Sequence, residues 1–237
     1  MSLTHAFDDG VCTITIDDPE RGNRFGWAAM QAFIAALQEA HERGSVVLVL
    51  RAEGPDFTLG RDGTDLPEGV TPRESLELIL RANELLTSFP GASVALVQGR
   101  AMGFGSGLAL GCDIALAATD ATFGFNEVRH GLAPLVVVDY LPDHVGPKVA
   151  AELVMTGRDV PAEEALRLRM VNRLVPAGEL AAEGEELVRH LRAQPAGALR
   201  LMKRFALDDA AGRLADPPSD AVARLAAWLE AGRPDQV

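Results

Sequence analysis

The chain has 237 residues, 48% of them hydrophobic and 24% charged, a balance that excludes a disordered or fibrous protein and allows a core of ordinary size. With 22 basic against 34 acidic residues the net charge is −12, so neither nucleic acid nor an anionic membrane is an expected partner, although a local patch or a helix N-terminus still binds an anion. Two cysteines, no basic-then-apolar leader and no apolar run near the ~18–20 residues of a membrane helix point to a soluble cytoplasmic protein without a disulfide framework.

Val11 to Asp17 alternates β-branched with small or polar residues and predicts a half-buried strand, broken by the loop from Asp18 to Asn23. Met30, Phe33, Ile34 and Leu37 recur at helical spacing within Trp27 to Glu42, with Gly44 as a stop. Val46 to Leu50 is a continuous apolar run that reads as a strand covered on both faces. A second helix is expected from Thr71-Pro72 to about Ser88, followed by a strand over Ser93 to Val97. Gly99 to Gly111 is glycine-rich and turns into a helix of small residues, then comes a strand from Asp113 to Ala117 and an extended piece at Thr122-Phe123. Strands punctuated by helices make the class α/β. After Gly146 the chain reads as helices: 147–156, 161–168, 178–192, 197–208 and 219–231. The last two carry an apolar stripe (Leu199, Met202, Phe205; Val222, Leu225, Trp228) that must be buried against its own core or a neighbouring subunit.

The segment from Gly99 to Asp113 admits four readings. Glycines permit tight helix packing. A dinucleotide fingerprint requires a different glycine spacing from Gly103, Gly105 and Gly107, and a serine-hydrolase elbow requires glycines where Phe104 and Leu108 flank Ser106. The fourth is an oxyanion site, because free N–H groups at a helix start point toward a ligand and the helix dipole favours negative charge there. Phe57 to Asp62 is a second donor loop at a strand end.

PERGNRFG, FTLGRD, VQGRAMGFGSGLALGCDIALA and ATFGFNEVRHGLAP, in that order, resemble the crotonase superfamily, the enoyl-CoA hydratase and isomerase group. The likeness spans residues 11 to 176. It implies a spiral of ββα units (residues 1–190) completed by a C-terminal helical trimerisation region (191–237), assembling as trimers or paired trimers. It also implies acyl-CoA thioester substrates, with coenzyme A entering as part of the substrate and no metal or bound cofactor. By position the two oxyanion donors are the main-chain N–H groups of Arg61 and Phe104, with side-chain identity secondary, and Glu127 is the acid and base. Leu59, Asp62, Gly63, Gly103, Gly107, His130 and Pro134 are expected around the substrate. Arg24, Arg21, Lys203 or Arg204 are the candidates to reach coenzyme A phosphates. Asp62 is expected to fix its loop, and Asp113 to orient the strand it opens.

The departure from the family pattern is Gly107, where relatives often carry a second glutamate. Hydration of a 2-enoyl thioester uses two carboxylates around one water, whereas one carboxylate suffices to move a proton between C2 and C4. The resemblance therefore favours isomerisation over hydration. Alternatives are a catalytically silent acyl-CoA-binding member, or a hydrolase or decarboxylase acting on a specialised or non-CoA substrate with the help of His130 or Asp139. Tyr140, the only tyrosine, has no role in this reading.

Overall fold

The computed structural model describes residues 2–214 and 216–235. In chain order its elements are β1 (Ser2–Asp8), β2 (Val11–Asp17), α1 (Trp27–Glu42), β3 (Val47–Ala52), α2 (Pro72–Thr87), β4 (Ala92–Val97), β5 (Arg100–Met102), α3 (Phe104–Gly111), β6 (Ile114–Ala118) and β7 (Thr122–Gly124). These are followed by α4 (Leu135–Val145), α5 (Pro147–Thr156), β8 (Asp159–Pro161), α6 (Ala162–Arg167), β9 (Arg173–Val175), α7 (Leu180–Arg192), α8 (Ala196–Ala210) and α9 (Pro217–Glu230). The α/β class and the helical C-terminal region are as expected from the sequence.

One sheet runs β1-β2-β3-β4-β6-β9 and a smaller one β5-β7-β8. β1 and β2 form a hairpin whose turn residues, Asp9 and Gly10, both have positive φ, the geometry that matches strand twist. From β2 onward the large sheet is parallel, so each strand is followed by a crossover that returns the chain to the same edge. In β2 Cys12, Ile14 and Ile16 are fully buried, the alternation its sequence shows, while β3 buries four consecutive residues. Helix α1 turns Met30, Phe33 and Leu37 into the core. Helix α2 begins with a reciprocal cap, Thr71 accepting the Glu74 N–H while the Glu74 carboxylate accepts the Thr71 N–H.

Helix α4 was not legible in the sequence. Its Leu-Val-Val-Val start has strand-forming residues, yet burying Val137 and Leu141 on one face against the core decides the matter in favour of a helix. Helix α7 lies on the large sheet, where Gly184 permits close approach: a Cβ there would fall 2.5 Å from Leu96 Cδ1. Helix α8 buries Gly197 alone and α9 buries no residue.

Candidate active site

Residues 58 to 62 are gripped from two sides. Thr58 lies beside β5, donating its N–H to Arg100 O at 3.1 Å and accepting the Met102 N–H at 2.9 Å. Its hydroxyl donates to Asn23 O at 2.7 Å and accepts the Gly60 N–H at 3.0 Å. Asn23, fully buried with φ 56, donates to Glu53 O and Asp56 O at 2.9 and 2.8 Å and accepts the Asp18 N–H at 2.7 Å. Phe25 then donates to Gly60 O and accepts the Asp62 N–H, both at 2.9 Å. In this parallel bridge the residue between them, Arg61, turns its own N–H to the opposite side. Gly60 makes the bend at φ 86, and a Cβ on it would fall 2.6 Å from Met102 O and 3.6 Å from Phe104 N. Only glycine lets the loop come so near the start of α3.

Phe104 is the first residue of α3, so its N–H has no acceptor within the helix. Gly103 turns the chain out of β5 at φ 52, its N–H held by Gly124 O at 2.8 Å. Among the described residues neither the Arg61 nor the Phe104 N–H donates to a protein oxygen. The side chains of both residues pack around the loop and the helix start. The Phe104 ring packs edge-to-face on Phe25 at 5.2 Å and on Phe33 at 6.3 Å. The Arg61 guanidinium donates to Phe25 O at 3.2 Å and to Ser75 Oγ at 2.7 Å, clamping α2 to the loop. The Ser106 hydroxyl is tied to Ala101 O at 2.7 Å and accepts the Gly124 N–H at 3.1 Å, which leaves it structural and removes the serine-nucleophile reading.

Glu127 opens a short 3-10 turn, Glu127–His130, after β7. Its Oε1 lies 2.8 Å from where a Cβ on Gly103 would stand, against the entrance of α3. Its Oε2 is buried with no hydrogen-bond partner among the described residues. Burial pushes this carboxyl above its ordinary range, opposed by a hydrogen bond from its own backbone and by the charge of His130. An unpartnered buried carboxylate is costly for folding, and a raised carboxyl is what a proton acceptor working near neutrality requires.

One turn along α3, a Cβ on Gly107 would fall 2.7 Å from Tyr140 Oη of α4. The phenol is pushed above its ordinary value by burial and, secondarily, by the charge of Glu127. Gly107 and Tyr140 line a cavity of about 220 Å³ together with Leu80, Leu86, Val136 and His144. A larger cavity of about 620 Å³ lies between the large sheet and α7, bounded by Val49, Leu96, Leu180 and Val188, and contains none of the groups just described.

A family model described as enoyl-CoA hydratase/isomerase matches residues 6–216. The chain belongs to this family. The 1,2-epoxyphenylacetyl-CoA isomerase of Escherichia coli K12 is 33% identical over 211 residues, covering 85% of this chain and 80% of that protein. The enoyl-CoA hydratase structure from Mycobacterium smegmatis superposes with a TM-score of 0.86 at 27% identity, covering 98% of this chain and 91% of that one. A Thermobifida fusca YX protein solved in complex with CoA superposes with a TM-score of 0.84 at 32% identity, covering 98% and 95%. The fold is thus the crotonase fold, and the protein is an enzyme of the hydratase/isomerase type.

The remaining residues singled out in this family member lie at various depths. Arg24 is exposed and donates to Leu59 O at 3.1 Å. The Leu59 side chain packs on Gly22, whose Cβ would fall 2.5 Å from Leu59 Cδ1. Asp62 accepts the Thr64 N–H and hydroxyl at 3.0 and 2.6 Å, which holds its carboxyl below the usual range and fixes the loop. Gly63 is exposed with open space around it. Pro134 precedes α4 and accepts the Val138 N–H. His130 is exposed and bears on Glu127 through its charge. The Lys203 ammonium pairs with Asp113, whose carboxylate also accepts the Ser93 N–H and hydroxyl at 2.9 and 2.8 Å. The pair ties α8 to the residue that precedes β6. Sequence reasoning missed Asn23, Thr58 and Tyr140; the first two stand inside the quoted motifs, and the third was marked only by being the sole tyrosine. Among the described residues no cluster of His, Cys, Asp and Glu could hold a metal, and no helix is long and apolar enough to cross a membrane.

Proposed function

We propose that this enzyme moves a proton on a coenzyme A thioester, the Arg61 and Phe104 N–H groups holding the thioester oxygen while Glu127 serves as acid and base, with double-bond isomerisation favoured over hydration. The observation that carries the proposal is a pair of N–H groups without acceptors, on the Gly60 loop and at the α3 start that the loop approaches, with a buried carboxylate oxygen without a donor against Gly103. Removing a proton beside a thioester places negative charge on its oxygen, and a preorganised donor is worth ~3–4 kcal/mol there. The dry surroundings that raise Glu127 make it a stronger base at the moment it ionises. Gly107 supplies no second carboxylate, and one base is enough for a shift between C2 and C4. Support comes from the isomerase name of the E. coli relative and the CoA bound to the T. fusca relative. The chemistry asks for no metal and no cofactor beyond the thioester itself.

The second part of the proposal is a trimer or a pair of trimers, built on residues 191–237 around the 1–190 core. Met202, Val222, Leu225 and Leu229 are exposed on α8 and α9, more apolar surface than a lone helix pair ordinarily leaves in water. The activity is tested by giving the purified protein 3-enoyl-CoA and 2-enoyl-CoA substrates. We expect conversion of the 3-enoyl thioester and a loss of ~10²–10⁴-fold in Glu127→Gln. A variant as active as its parent would remove Glu127 from the mechanism.

A further inference from the structure

Gly107 leaves a vacancy beside the reacting position, and a side chain from another helix occupies it. Tyr140 Oη stands 2.7 Å from the point where a side chain at 107 would begin. It lines the same cavity as Gly107, and its hydroxyl makes no hydrogen bond to the protein among the described residues. The rise of one helical turn from Phe104 to Gly107, ~5 Å, is comparable with the reach from a thioester oxygen to the fourth carbon of its acyl chain. Glu127, by contrast, lies against Gly103 at the mouth of α3, next to the carbon adjoining the carbonyl.

We propose that the Tyr140 hydroxyl is a second proton carrier of this site, donating to the far carbon of the dienolate after Glu127 has taken the proton from the near one. This rests on the reading of Glu127 as the base and of the two N–H groups given above, and assigns to Tyr140 the acid role at the far carbon that Glu127 would otherwise fill. In the step, the C2–H bond of a 3-enoyl thioester breaks as Glu127 accepts the proton, and the electron pair delocalises onto the carbonyl oxygen. The pair then returns through the chain to C4, where a C–H bond forms with the Tyr140 proton as its O–H bond breaks. The tyrosinate regains a proton from solvent while Glu127 releases the one it took, so nothing is consumed. A single negative charge passes from Glu127 to the thioester oxygen to Tyr140 and back. The repulsion that Glu127 exerts on the phenol is relieved once Glu127 is protonated, which is when Tyr140 must yield its own proton.

The test is isomerisation of a 3-enoyl-CoA in deuterium oxide, with rate and label position read by NMR for the parent and for Tyr140→Phe, which keeps the ring and removes the oxygen. The parent should place solvent deuterium at C4. Tyr140→Phe should slow turnover ~10²–10⁴-fold, and its residual product should retain at C4 the proton that left C2, because Glu127 then serves both carbons. Turnover within twofold of the parent overturns the role of Tyr140, as does slower turnover with the same C4 label, the mark of a group that only fills space. Exchange at C2 without conversion in the parent overturns Tyr140 and leaves Glu127 as the base. Neither conversion nor C2 exchange in the parent overturns the underlying reading as well. A second variant guards against a simple packing defect. Gly107→Glu combined with Tyr140→Phe removes the oxygen that the new Cβ would meet and places an ionisable group in the same space. It should recover part of the lost rate, and recovery no better than that of Tyr140→Phe alone counts against a proton carrier at this position.

Discussion

Burial disfavours the charged form of the Glu127 carboxyl, and both its reactivity and its cost to folding follow from that. Activity needs the ionised form, so the acid limb of the kcat/KM profile should have its midpoint above the ordinary carboxyl range, and a limb at or below that range would contradict the burial. The stability effect has the opposite sign. The unfolded chain loses this proton at the ordinary value and the folded chain keeps it to higher pH, so between the two values the native state binds more protons and stability falls as pH rises. Glu127→Gln should therefore melt higher than the parent at pH 7. The gain should close as pH falls into the ordinary carboxyl range; a variant that melts lower at pH 7 would show that the carboxylate is well solvated after all. Gly103 sits at the centre of this balance, because its missing Cβ is what lets Oε1 approach the helix entrance at all.

Among the elements, α3 and the loop before it act as one unit through their aromatic side chains. Phe25 belongs to the strand-like piece that aligns Arg61, Phe104 begins the helix, and the two rings meet edge-to-face. Phe104→Ala should cost about 3–5 kcal/mol through loss of a buried ring and lower kcat/KM further than the stability loss alone explains, since both donors lose a common support. Urea unfolding paired with kinetics at low denaturant measures the two effects, and unchanged kcat/KM would show that the backbone alone fixes the donors. The helices α1 and α2 were legible in the sequence because their apolar spacing and, in α2, the cap are local. The two loops that carry Arg61 and Phe104 were legible because glycine-rich turns at strand and helix ends have their own signature, while the choice of those two residues as proposed donors came from the resemblance to the family's motifs. Helix α4 was not, since Leu135 to Val138 has strand-forming residues and becomes helical through contacts made elsewhere. The three-residue strands β5, β7, β8 and β9 are too short to display alternation, apart from the extended piece seen at Thr122-Phe123. Nor could spacing reveal that Tyr140 meets Gly107, a contact between residues of different helices set by how α4 folds back.

For the molecule as a whole, the net charge of −12 and the exposed apolar residues of α8 and α9 pull in different directions, and the proposed trimer would satisfy both by covering the apolar residues and leaving charged ones outside. Light scattering on the purified protein should return three or six chain masses, and Leu225→Glu, which puts a charge on an exposed apolar position, should shift that toward one; a monomeric parent would set the trimer aside. Thr58 has a consequence of its own. Because it is fastened to residue 23 through its hydroxyl and to residues 100 and 102 through its backbone, the proposed reaction centre lies at a junction of three stretches of chain and should not loosen by itself. Raising urea should then extinguish catalysis in the same cooperative step that melts the sheet, with no window in which an intact but inert protein accumulates.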